Sequence, residues 1–80
     1  LSLSAIHNNA FKGCRALKEV IIRSVVPATF PDVSVQNRQS PFAYSADVTV
    51  YVVADTLESY LNDYGDLDGG SLKEKFAEIR

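Results

Sequence analysis

The sequence predicts a small α/β unit in which short parallel strands stack as repeats and two short helices close one end. Three observations carry this. The run VTVYVV (48–53) places Val48, Val50 and Val52 on one face of a strand and Thr49, Tyr51 and Val53 on the other. The segments AFKGC (10–14) and PFAYS (41–45) share one pattern, and each leads into a β-branched strand. Two C-terminal stretches, 55–64 and 71–79, carry apolar residues at helical spacing behind capping signatures.

In chain order, Ile6, Ala10 and Phe11 are spaced to point inward from a short turn, and Gly13 permits a tight bend. Leu17, Val20 and Ile22 then set an apolar rhythm that makes 19–23 a strand, with Lys18, Glu19 and Arg23 in solvent. Residues 24–47 hold three prolines and no sustained period, yet are rich in Val and Phe. They read as an extended loop lying on a core, closed by a turn at SPFAYS. The strand at 48–53 is apolar on both faces, which predicts cover on both sides, as in parallel sheets. Asp55 with Glu58 forms an Asp-x-x-Glu start; Leu57, Tyr60, Leu61 and Tyr64 make the stripe, and Gly65 the stop. Ser71 with Glu74 opens a second helix, with Leu72, Phe76 and Ile79 inward. Helices this short depend on docking.

The repeat orders these elements. Phe11 precedes Val20 by nine positions and Phe42 precedes Val50 by eight, so the second copy is one residue shorter. Self-similarity at a fixed period is the signature of a solenoid. Each unit then adds one strand to a parallel sheet, while its Phe and its Cys or Ser plug the layer behind. The chain divides into one repeat unit (1–24), a degenerate terminal repeat with its cap (25–65), and a C-terminal helix (66–80).

The segment LSAIHNNAFKGCRALKEVII resembles the BspA-like leucine-rich-repeat family of bacterial surface proteins, in its order of leucine, isoleucine, Ala-Phe, Gly-Cys, leucine and strand. VTVYVVADTLESYLNDYG is similar to that family's closing segment, a strand ending Tyr-Val-Pro followed by a helix with a central tyrosine. Tyr51, Val52 and Tyr60 match, and Val53 stands where proline is usual. The resemblance spans about residues 3–65 and leaves DLDGGSLKEKFAEIR outside it. It implies a right-handed solenoid on the cell surface or secreted, acting in adhesion or protein recognition, with no catalytic residues to carry over; no metal or cofactor is expected. The repeat residues it assigns are structural: Ile6, Ala10, Phe11 and Gly13, then Cys14, Leu17, Val20 and Ile22.

Composition narrows the function classes. Eighty residues, 46% hydrophobic and 22% charged, suit one thin-cored domain. A net charge of −2 without a basic cluster gives no nucleic-acid footprint. No apolar run approaches the roughly 20 residues of a membrane span. The lone Cys14 forms no internal disulfide.

The remaining candidates set sharp readings against plain ones. Cys14 with His7 could form a nucleophile and base, but the repeat puts Cys14 at a small inward position beside Phe11 and Leu17, where it acts as a small hydrophobe. Asp63, Asp66, Asp68, Gly69 and Glu74 suggest a calcium loop. With Gly69 at the sixth position, Tyr64 and Lys75 fall where carboxylates are needed, so a solvated acidic turn is preferred. Among the tyrosines, Tyr60 and Tyr64 belong to a helix stripe, and Tyr51, opposite the Val50/Val52 face, is the candidate interaction residue. Two readings follow: a non-enzymatic recognition module with a protein partner, or a structural cap for a longer array. An apolar or aromatic patch on the outer face separates them. An open first repeat also predicts self-association through Leu1, Leu3, Ile6 and the strand at 19–23.

Overall fold

In the computed structural model, which describes residues 5–11, 13–45 and 47–79, both expected strands form and lie parallel. β1 (Glu19–Ile22) pairs with β2 (Thr49–Val52) in the register Val20 to Val50. Val48, Val50 and Val52 are at most 3% exposed and form the floor of the core. Thr49, Tyr51 and Val53 are only half-buried, so the sheet is covered on one side, not both. The reason lies in what packs on it: Ile6, Phe30, Phe42 and Tyr60 all join the cluster around Val50 and Val52.

The proline-rich segment lies on the core, as expected. Ala28 and Phe30 are buried, and the Ile6 N–H donates to the Thr29 carbonyl at 2.8 Å in an isolated parallel bridge. The turn at 41–44 buries Phe42 completely, with the Phe11 ring stacked on it at 5.3 Å and Phe30 edge-on at 6.0 Å. The two matched phenylalanines are therefore in contact.

Helix α1 (Ala54–Tyr64) follows β2 directly. Its N-cap is Val53, with no side-chain cap, so the Asp55–Glu58 box does not form; the Thr56 hydroxyl donates to the Val53 carbonyl at 2.7 Å instead. Asp55 sits in the first turn, where the helix dipole favours its charge. Thr56 and Tyr60 are buried and Leu61 is exposed, a stripe rotated from the expected one. The helix stops at Gly65, whose backbone is right-handed (φ −62°). Glycine is required there by space, because a Cβ would run into the Leu61 carbonyl oxygen.

The second helix does not form. Residues 68–70 and 72–74 are single 3-10 turns, and Phe76–Glu78 is a strand, β3, parallel to β2. The sheet order is β1-β2-β3. A helix through 71–79 would leave the far edge of β2 without partners. The strand instead lets the Val50 N–H donate to the Lys75 carbonyl at 2.7 Å and the Ile79 N–H to Val52 at 2.9 Å. Phe76 also stacks on Tyr60 at 5.3 Å.

Burial differs between the two matched segments. In the second, Phe42, Ser45, Val48 and Val50 are buried, whereas their counterparts in the first, Phe11, Leu17 and Val20, are half-buried and Cys14 is exposed. Cys14 and Ala10 were expected inward and are not. After Gly13 (φ +86°), the Cys14 backbone, not its thiol, meets the second segment. The buried Ser45 hydroxyl donates to the Cys14 carbonyl at 2.9 Å.

Candidate interaction face

Strand periodicity determines what the open side of the sheet presents. Glu19, Ile21 and Arg23 alternate with the inward Val20 and Ile22, and Tyr51 lies beside Ile21 in the register. Beyond Tyr51, β3 places Ala77 opposite it, followed by Ile79. These residues line a shallow groove of about 270 Å³ formed by Glu19, Ile21, Arg23, Tyr51 and Ile79. Its centre is apolar, with Ile21 45% exposed and Tyr51 and Ile79 half-exposed, and its β1 margin carries one acidic and one basic residue. The groove is small and open for a drug-sized ligand, but a flat apolar centre with a charged margin suits a protein surface.

The expected interaction residue, Tyr51, is thus at the middle of the face. Ile21 was not singled out for this face, and Ile79, expected inward on a second helix, lines it instead. Ile21 was legible from the same alternation that exposed Tyr51, whereas Ile79 joins the face only because β3 is a strand.

The other candidates are not assembled. His7 turns to Asp32, 3.5 Å away, and no hydrogen bond joins it to Cys14 among the described residues. The Asn8 N–H donating to the Asp32 carboxylate at 2.7 Å, helped by His7, holds that carboxyl below its ordinary range. In the acidic loop, Arg38 donates to both carboxylate oxygens of Asp66 at 2.9 and 2.8 Å. Asp68, at φ +57°, accepts from the Ser40 N–H at 2.8 Å and from its hydroxyl at 2.6 Å. These carboxylates serve as clamps between the 66–68 turn and the 38–40 segment. No group of three or more His, Cys, Asp or Glu is placed to hold a metal among the described residues. Tyr60 is fully buried and Tyr64 half-buried, and their hydroxyls accept from the Ala28 and Phe30 N–H groups at 2.7 and 3.3 Å.

A cleft of about 690 Å³ opens at the N-terminal ends of β2 and β3, lined in part by Asp47, Asp68, Glu74 and Lys75. Two of its three carboxylates are already engaged, Asp47 with Lys18 at 3.4 Å and Asp68 with Ser40. For self-association, Ile6 is 3% exposed, so its expected place on the contact face is corrected; Leu1 and Leu3 lie outside the described residues. None of the described helices is long and apolar enough to cross a membrane. In comparisons with known proteins, no family model, curated protein or solved structure matches this chain.

Proposed function

We propose that this chain is a non-enzymatic protein-recognition module, the closing end of a stack of repeat layers of the BspA-like leucine-rich-repeat kind, displayed on a cell surface or secreted. The observation that carries the reading is the open outer face, where Ile21, Tyr51 and Ile79 form an apolar centre beside Glu19 and Arg23. A parallel sheet is ordinarily buried on both faces, so an open one holding an aromatic side chain is a surface kept for contact. The layered repeat is the second support: Phe11 stacks on Phe42 and Val20 lies beside Val50. A purely structural cap needs only a polar outer face, and the Ile21, Tyr51 and Ile79 side chains favour the recognition reading over it.

The test immobilises purified extracellular-matrix and bacterial surface proteins and measures retention of the chain and of its Tyr51→Ala and Ile21→Ser variants. Tyr51→Ala is expected to weaken retention about tenfold or more, as truncating a central aromatic does, with the far-UV spectrum unchanged. Absence of retention by every surface, or retention indifferent to both substitutions, would reject the reading in favour of the cap.

A further inference from the structure

We propose that two copies of this chain join through the free edge of β1, pairing antiparallel about a two-fold axis at Ile21. The inference uses the edge of the sheet rather than its outer face, and it competes with the stacked-repeat reading, in which a preceding layer would occupy the same edge.

The backbone comes first. The Thr49 N–H donates to the Lys18 carbonyl at 2.9 Å. Along a strand in a parallel pair, successive residues turn their N–H and C=O groups to opposite sides. Val20 and Ile22 therefore use theirs on β2, as Lys18 does, while Glu19, Ile21 and Arg23 direct theirs away from it. β1 is an edge strand, and no other strand pairs with that side among the described residues. Unpaired edges of this kind accept another strand.

Side-chain order then selects the occupant. Glu19, Ile21 and Arg23 share one face, with the acid two residues before the isoleucine and the base two residues after it. Antiparallel pairing centred on Ile21 sets Ile21 against Ile21 of the second copy. It also sets Glu19 against Arg23 of the second copy, twice by symmetry. The residues so opposed are those with free backbone groups, so the register that matches charges also closes about six hydrogen bonds. Neither Glu19 nor Arg23 has an ion-pair partner among the described residues. Parallel pairing of two copies would instead set like charges side by side, and a two-fold axis could not close it. The outer edge of β3 lacks this match, since Glu78 has no basic counterpart within the strand.

The layer behind the strand fits the same approach. Phe11 stacks on Phe42 with one side and is otherwise half-open, as are Leu17 and Val20. A two-fold axis through the sheet at Ile21 brings the same first layer of the second copy against these residues, covering what the second layer covers on its own side.

Sedimentation velocity over micromolar to millimolar concentrations is the test, with far-UV circular dichroism on each variant to verify the fold. The parent chain is expected to show a monomer–dimer equilibrium. Arg23→Glu and Glu19→Arg each turn both cross pairs into like charges and should weaken the dimer about tenfold. The double variant E19R/R23E restores opposite pairs and should recover most of the parent affinity. Ile21→Pro removes a donor that faces away from β2, so it spares the monomer and abolishes the dimer. The Ile21 amide should become protected from hydrogen exchange as concentration rises. A monomer at the highest concentration, an open-ended series of larger species, or a dimer whose affinity ignores the charge swap would each overturn the proposal.

Discussion

Replacing Tyr60 by Phe removes one oxygen from the centre of the protein and isolates one hydrogen bond. The ring is fully buried, and the substitution keeps its stacking on Phe76 at 5.3 Å and its tilted contact with Phe30 at 6.4 Å. What is lost is the acceptor for the Ala28 N–H, 2.7 Å away on a residue only 1% exposed. A buried donor left unsatisfied costs about 1–3 kcal/mol. For a domain of this size that lowers the melting temperature by about 4–8 °C per kcal/mol. Tyr64→Phe is the internal reference: its bond to the Phe30 N–H is longer, at 3.3 Å, and only part-buried. It should cost about 0.5–1 kcal/mol. Urea unfolding followed by circular dichroism measures both, with the m-value expected to stay constant. The alkaline side supplies a second readout. Burial raises the Tyr60 phenol above its ordinary value of 10.0, and the Ala28 bond pulls the other way. A raised folded-state value means that the stability linked to this group is complete below pH 10.0 and is lost as pH rises through the folded value. The Phe variant should lack that share of the alkaline loss. Equal costs for the two variants, or a Tyr60→Phe cost below about 0.3 kcal/mol, would refute the assignment of this bond as an anchor of the 28–30 segment.

Other outcomes follow from the same geometry. Cys14 is exposed in a turn and should react with a thiol reagent as fast in the native monomer as in urea; slow native labelling would place it in the core after all. Asp68→Ala removes both bonds to Ser40, strands a buried hydroxyl, and should cost about 2 kcal/mol in urea unfolding. A loss under about 0.5 kcal/mol would show that the 66–68 turn is held by other contacts. The lowered pKa of Asp32 means that its contribution is complete well above pH 3.8 and is lost as pH falls through its folded value, so Asp32→Asn should flatten the acid limb of a stability-versus-pH curve. An unchanged acid limb would remove the Asn8 and His7 contacts from the account.

Much of the sheet was legible because β1 and β2 carry their own signals. Alternating β-branched residues at 19–22 and 49–52 mark both strands, and the matched Phe11 and Phe42 placed them side by side. β3 was not legible: Phe76–Glu78 is three residues long and sits behind a Ser-x-x-Glu pattern that reads as a helix start. Its conformation is decided by the free edge of β2 and by the ring of Tyr60, both of which are tertiary. Cys14 fails for a related reason. The matched pattern predicts burial for both Cys14 and Ser45, but burial is decided by tertiary packing, which covers Ser45 and leaves Cys14 exposed. The clamps from Arg38 to Asp66 and from Ser40 to Asp68 join residues 28 apart and leave no local trace. In the candidate face, Tyr51 and Ile21 could be read from strand alternation, and Ile79 could not.

The absence of any hairpin among the described residues has a consequence for how fast the chain finds this structure. β1 meets β2 across 30 residues, Glu19 with Thr49, and β2 meets β3 across 26, Val50 with Phe76. Each pairing must close a long loop before its first hydrogen bond offsets the entropy lost. The one α-helix among the described residues, 11 residues long, is too short to persist alone as a nucleus. Folding is therefore governed by these two closures and belongs in the slower part of the range for domains of this size, on the order of milliseconds to seconds. Until both closures are complete, the apolar strands around Val50 and Ile22 stay open to other chains.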